Sequence, residues 1–329
     1  MSVQGVRTLP RDDGIPSDLL AFRARFATEK ACTAMLRRWR YPEGFACPRC
    51  GGGRAWWLGG RRVHECRDCG RQTSLTAGTV FHGSRKPLRT WFLAMFLFVS
   101  SKRGISALEL SRQLGLSYPT AWSWLHKLRV AMEDRYQALL RGLVEVDEAY
   151  VGGLEEGRGG RSLRKKALVA GAVEVPEARP GFGRARLAHL PDASKISLTD
   201  FVESQIHPSA LVKTDGHRGY DDLEKRGFRH LRIPLAGGAE KAHRIFPGVH
   251  RVFSLFKRLI LGTYQGAASR KHLQKYLAEF EFRFNRRTSR SRGLLFQRLL
   301  SAALLDRAIP CHALPEGSLA GIPFNRWSP

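Results

Sequence analysis

The sequence predicts a mixed α/β domain, a sheet flanked by helices, preceded by a small cysteine-rich unit and a helical region. Three observations carry that expectation. Residues 143–308 alternate between short apolar strands and longer amphipathic stretches. Two CxxC pairs, Cys47/Cys50 and Cys66/Cys69, stand fifteen residues apart. Between those pairs and the alternating region, two apolar helical stretches are broken by a Gly-Leu-Ser turn.

The chain has 329 residues, enough for two or three units with a sizeable core. Its 55 Lys and Arg against 29 Asp and Glu give a formal charge of +26, which points to a polyanionic partner, most simply nucleic acid. No apolar run is long enough to cross a bilayer; Trp91–Val99 is too short and is flanked by charge. The first residues show no secretory signal pattern, so a cytoplasmic location is expected.

Residues 1–40 read as a helical lead-in, with one amphipathic helix over Asp18–Trp39 and a basic end at Arg37, Arg38 and Arg40. Residues 41–80 hold the two knuckles, CPRC and CRDC. Four thiolates at this spacing satisfy tetrahedral Zn2+ and leave no open position, so the expected site is structural. Paired disulfides suit a secreted chain better than this one. Between the knuckles Arg54, Trp56, Trp57, Arg61, Arg62 and His64 interleave aromatic and basic groups, a surface suited to nucleic acid. Cys32 and Cys311 are left over and read as idle thiols.

Residues 87–140 begin with an apolar helix, Leu88–Ser100, and continue as a helix-turn-helix. Its first helix is 107–114, the turn is Gly115-Leu116-Ser117, and the second helix spans Pro119–Arg129 with Ser117 as its cap. Tyr118, Thr120, Ser123, His126 and Lys127 are the polar residues expected to meet a major groove, while Ala121, Trp122 and Leu125 pack inward.

From Leu143 the sequence LVEVDEAYVGG reads as a strand running into a Gly-Gly turn. Side chains alternate along a strand, so Asp147 and Glu148 face opposite sides and Asp147 shares a face with Glu145. A Gly/Arg-rich loop follows, with Arg158, Arg161 and Lys165 placed to grip a phosphate backbone. Strands are then expected at 167–175, 185–190, 210–215 and 228–234, with a short helix at 197–204 and a turn into a helix after Asp215. Three strands, a helix, a strand, a helix and a strand is the order of the ribonuclease H-like fold. A long helix from Gly248 carries His250, Ser254 and Lys257 on one face. Helices over 270–283 and 293–305 complete the region, and residues 309–329 read as an irregular tail.

Carboxylates ending two adjacent strands, joined by a helix residue, can converge on a pair of divalent cations roughly 4 Å apart. Here the chain resembles bacterial insertion-sequence transposases with an N-terminal zinc ribbon and a DDE-type domain. The resemblance rests on CPRC…CRDC, VEVDEAYVGG, KTDGHRGY, VHRVFSLFKRLILGTYQG and HLQKYLAEFEFRFNRR. It implies Asp147, Asp215 and His250 as the three catalytic, metal-binding positions and Lys257 as the trailing lysine. It also implies catalytic Mg2+ or Mn2+, double-stranded DNA as partner (element ends and target), oligomerisation on DNA and a place at the bacterial nucleoid. His250 stands where Glu is usual, and a neutral imidazole favours Mn2+ over Mg2+. Glu240 is the rival third position, with Glu279 and Glu281 behind it. A catalytically silent DNA-binding regulator and a structure-specific nuclease remain the competing functions.

Overall fold

The computed structural model describes residues 14–133, 138–152, 166–176, 180–235, 239–266 and 269–305. The expected lead-in helix is two helices, α1 (Leu19–Arg25) and α2 (Glu29–Arg40), because Thr28 takes extended dihedrals and accepts the Ala31 N–H at 3.2 Å. Both pack on α3 (Leu88–Ser100). The Phe22 and Phe96 rings stack at 4.1 Å between centroids, and Phe296 from the far end of the chain meets Phe22 at 4.9 Å. Phe296 belongs to α10 (Arg292–Leu305), whose buried apolar residues all join this N-terminal core.

The ribbon is an antiparallel meander of β1 (Ala55–Leu58), β2 (Val63–Cys66) and β3 (Gln72–Ser74). Arg40 of α2 anchors it by donating to the Ser74, Leu75 and Ala77 carbonyls.

α4 (Ala107–Leu114) and α5 (Tyr118–Ala131) form the helix-turn-helix, with Gly115 in the left-handed conformation between them. Ser117 holds the N-cap position as expected, though its hydroxyl bonds Thr120 Oγ1 at 2.8 Å and no backbone amide. A larger correction concerns the polar face. α5 lies between the N-terminal core and α9 (Arg270–Asn285), so His126 is fully buried and Lys127 only 8% exposed. Neither can meet a groove. Tyr118, at the first turn, is exposed; Thr120 and Ser123 are half-buried. Trp122 is half-buried on the His126 ring, and Trp124 takes the inward place beside Ala121 and Leu125.

The third unit is a five-stranded mixed sheet: β4 (Leu143–Gly152), β5 (Lys166–Glu174), β6 (Ala185–Leu190), β7 (Leu211–Thr214) and β8 (Arg229–Arg232). Their order is β6-β5-β4-β7-β8. The first three strands in sequence pair antiparallel, while β7 and β8 run parallel to β4. That is the ribonuclease H-like topology. One face packs Val144, Val146 and Ala170 against α6 (Lys195–Gln205). The other packs Val169, Val173 and Leu187 against α8 (Pro247–Tyr264) and α9; α7 (Ala239–Ile245) leads into α8. Close approach of α8 depends on Gly171, where an added Cβ would meet the Phe253 ring at 2.8 Å. Gly171 is the cross-strand neighbour of Asp147, so the same gap brings α8 down onto that carboxylate.

Candidate active site

β4 and β7 lie side by side with Glu145 opposite Lys213. Two residues further along each strand direction stand Asp147 and Asp215, the latter just past the end of β7. The Asp215 carboxylate accepts the His217 N–H at 2.9 Å, closing a tight turn after the strand. On the helix side, His250 Nε2 lies 3.5 Å from Asp147 Oδ2. A cleft of ≈ 820 Å³ opens from this pair along α8, lined by Asp147, His250, Ser254, Lys257, Arg258 and Leu261 among others. Lys257 thus stands two helical turns from His250 over the same hollow.

The electrostatics are those of crowded negative charge. Burial pushes the Asp147 carboxyl up to about 7, and Glu148, Asp215 and Glu145 push the same way against one backbone hydrogen bond from Glu148. Burial, His243 and Lys257 hold the His250 imidazole below its usual range, so near neutral pH it is uncharged and has a lone pair to offer. Carboxylates pressed together behind a neutral imidazole fit divalent cations. Among the described residues they form a more open donor set than the four cysteines, whose ligand atoms alone gather within 4.8 Å of one another.

Strand alternation predicts Glu148 on the face opposite Asp147, yet both residues line the cleft. Glu148 accepts the Tyr220 hydroxyl at 2.8 Å and lies 3.9 Å from His217. Glu279 and Glu281 serve packing. Glu279 is fully buried and accepts from Arg129, Arg283 and Tyr264, while Glu281 accepts the Leu187 N–H. The side chain of Glu240 and the positions of Arg158, Arg161, Lys165 and Cys311 lie outside the described residues. Sequence reasoning gave no role to Glu145 and Lys213, two residues before the aspartates. The available signal was Glu145 sharing the face of Asp147.

In the ribbon, Cys47 Sγ lies 3.6 Å from Cys69 Sγ, and Cys50 Sγ lies 3.6 Å from Cys66 Sγ. Four Zn–S bonds of about 2.3 Å need sulfurs roughly this close. The knuckles are built alike: Gly51 and Gly70 take positive φ and donate to the Cys47 and Cys66 carbonyls. Around them, Arg61 is exposed, and Arg62 is ion-paired with Glu29. His64 is a core residue, buried between Tyr41, Phe45 and Trp57. Trp56 is half exposed with Arg67 4.7 Å above its ring.

Comparison with known proteins agrees with this architecture. Residues 139–285 match the ISXO2-like transposase domain, and residues 27–72 match the transposase zinc-ribbon domain. A protein in transposable element ISH50 of Halobacterium salinarum is 28% identical over 273 residues, covering 78% of this chain and 91% of that protein. A transposase-like protein of Haemophilus influenzae is 27% identical over 116 residues, 35% of this chain and 93% of its own length.

Proposed function

We propose that this chain, whose residues 27–72 and 139–285 match a transposase zinc ribbon and an ISXO2-like transposase domain, cleaves the DNA ends of its insertion sequence and joins them to a target. The observation that carries the reading is the approach of His250 to Asp147, 3.5 Å apart beside a basic cleft, with Asp215 near enough for its charge to raise the Asp147 carboxyl. Asp147 and Asp215 would offer carboxylate oxygens and His250 one ring nitrogen to Mg2+ or Mn2+. Bound divalent cations supply Lewis-acid stabilisation to the attacking and leaving oxygens of an in-line phosphoryl displacement. The residues themselves do the rest. Lys257 and Arg258 neutralise phosphates along the cleft and hold the scissile strand in line. The ribbon (residues 41–80) with Arg61, and the start of α5 with exposed Tyr118 and half-buried Thr120 and Ser123, contact the element's end. Arg158, Arg161 and Lys165 would grip backbone nonspecifically. Zn2+ on Cys47, Cys50, Cys66 and Cys69 holds the ribbon folded. Two ends must meet, so the acting species is a homo-oligomer on DNA in the bacterial cytoplasm, at the nucleoid.

A mating-out assay tests this reading. Wild type is expected to move a marked donor bounded by the candidate ends and to leave short target duplications. Loss of donor without insertion would indicate a nuclease, and repression without either would indicate a silent regulator.

A further inference from the structure

Each of the three proposed catalytic residues is preceded, two positions earlier, by a residue of one buried polar cluster. Glu145 precedes Asp147, Lys213 precedes Asp215, and Gly248 precedes His250. Glu145 is 1% exposed, and its Oε2 accepts the Gly248 N–H at 2.8 Å and the Val249 N–H at 3.1 Å. It therefore caps the first turn of α8, where backbone amides otherwise lack partners. Its Oε1 lies 3.5 Å from Lys213 Nζ, directly across the parallel β4–β7 pair. Lys213 also donates to the Ile245 carbonyl and lies 5.0 Å over the Phe246 ring, both in the segment that enters α8. Gly248 leaves room for the arrangement: a Cβ there would meet Glu145 Oε2 at 2.9 Å and the Phe182 ring at 3.1 Å.

We propose that Glu145 and Lys213 are positioning residues that fix β4, β7 and the start of α8 in one register, and thereby fix Asp147, Asp215 and His250. The inference rests on the assignment of those three as the metal-binding set. The cluster is suited to this because its anchor points are backbone amides and strand neighbours. A shift of any one element breaks a charge-assisted hydrogen bond in a buried setting. Chain connectivity then carries the shift over two residues to a ligand; removing a direct hydrogen-bond partner of a ligand costs about 10–100-fold in metal affinity, and these ties act on the ligands through the backbone.

The test uses the full chain without DNA. Mn2+ binding is followed by electron paramagnetic resonance and exchange of the Gly248 and Val249 amides by hydrogen–deuterium exchange. Wild type, Glu145→Gln, Lys213→Met, Lys213→Arg and Asp147→Asn are compared. Glu145→Gln and Lys213→Met are expected to weaken Mn2+ binding about tenfold or more and to speed exchange at the two amides, while Lys213→Arg keeps both near wild type. Wild-type Mn2+ affinity in Glu145→Gln and Lys213→Met, alongside lost binding in Asp147→Asn, would overturn the positioning role alone. Undiminished binding in Asp147→Asn would overturn the catalytic assignment and the inference with it.

Discussion

At the scale of single residues, His126 and His272 make a consequence measurable. Their rings lie 4.7 Å apart between α5 and α9, at most 5% exposed, and no side-chain nitrogen of either finds a partner. Burial, then Arg129, His272 and Lys275, lower His126 from 6.5 to about 2. Burial, then Lys275, Lys271 and Arg129, lower His272 from 6.5 to about 4. The unfolded chain therefore takes up protons that the folded chain refuses. Stability is full above pH 6.5 and falls as pH drops from there toward the folded values. At pH 5 the His126 contribution is about 2 kcal/mol. His126→Phe should lose less stability than wild type between pH 7 and pH 5 in urea titrations. An unchanged pH slope would show that His126 does not set the acid sensitivity. Neither burial was legible in the sequence, where His126 sits on the polar side of a helix whose cover, α9, begins more than a hundred residues later.

At the scale of elements, α5 and α9 are joined by a buried ion pair. Arg129 Nε donates to Glu279 Oε2 at 2.8 Å, with both side chains at most 2% exposed. Burial alone would raise the Glu279 carboxyl, but Arg283 and Arg129 outweigh it and hold the group ionised and below its usual range. Arg129→Met should cost about 3 kcal/mol, since it strips one partner from a buried charge. Equilibrium denaturation would show that loss, and a change within a few tenths of a kcal/mol would contradict it. Elements as such were largely legible, because period-2 and period-3.6 patterns are local properties of the chain. The strand order that makes neighbours of Asp147 and Asp215 followed from the expected fold. Glu145 escaped because its partners are amides 103 and 104 residues away, and in sequence it is one more polar position in an alternating strand.

At the scale of the molecule, helices from both ends of the described chain build the N-terminal core, and that core lies against the five-stranded sheet's own helices through α5 and α9. The ribbon hangs on this body through Arg40 and through the Glu29 carboxylate, which binds Arg62 and the Leu88 and Arg89 amides at the start of α3. The purified chain should carry one Zn2+, lost on Cys66→Ser as read by elemental analysis, with weaker binding to the element's end. Retained zinc in that variant would move the metal elsewhere. The zinc ribbon was legible because CxxC spacing carries its chemistry in four residues. Lys127 misled, since a charged residue late in a helix looks exposed until a second helix is laid over it. As proposed, Asp147, His250 and Asp215 form a divalent-metal site that breaks DNA strands. The most direct test is cleavage of a labelled end duplex by purified protein in Mg2+ and in Mn2+, beside Asp147→Asn and Asp215→Asn. Metal-dependent cleavage, stronger in Mn2+, is expected, and it falls at least about a hundredfold in either variant. Wild-type cleavage by both variants would contradict that assignment.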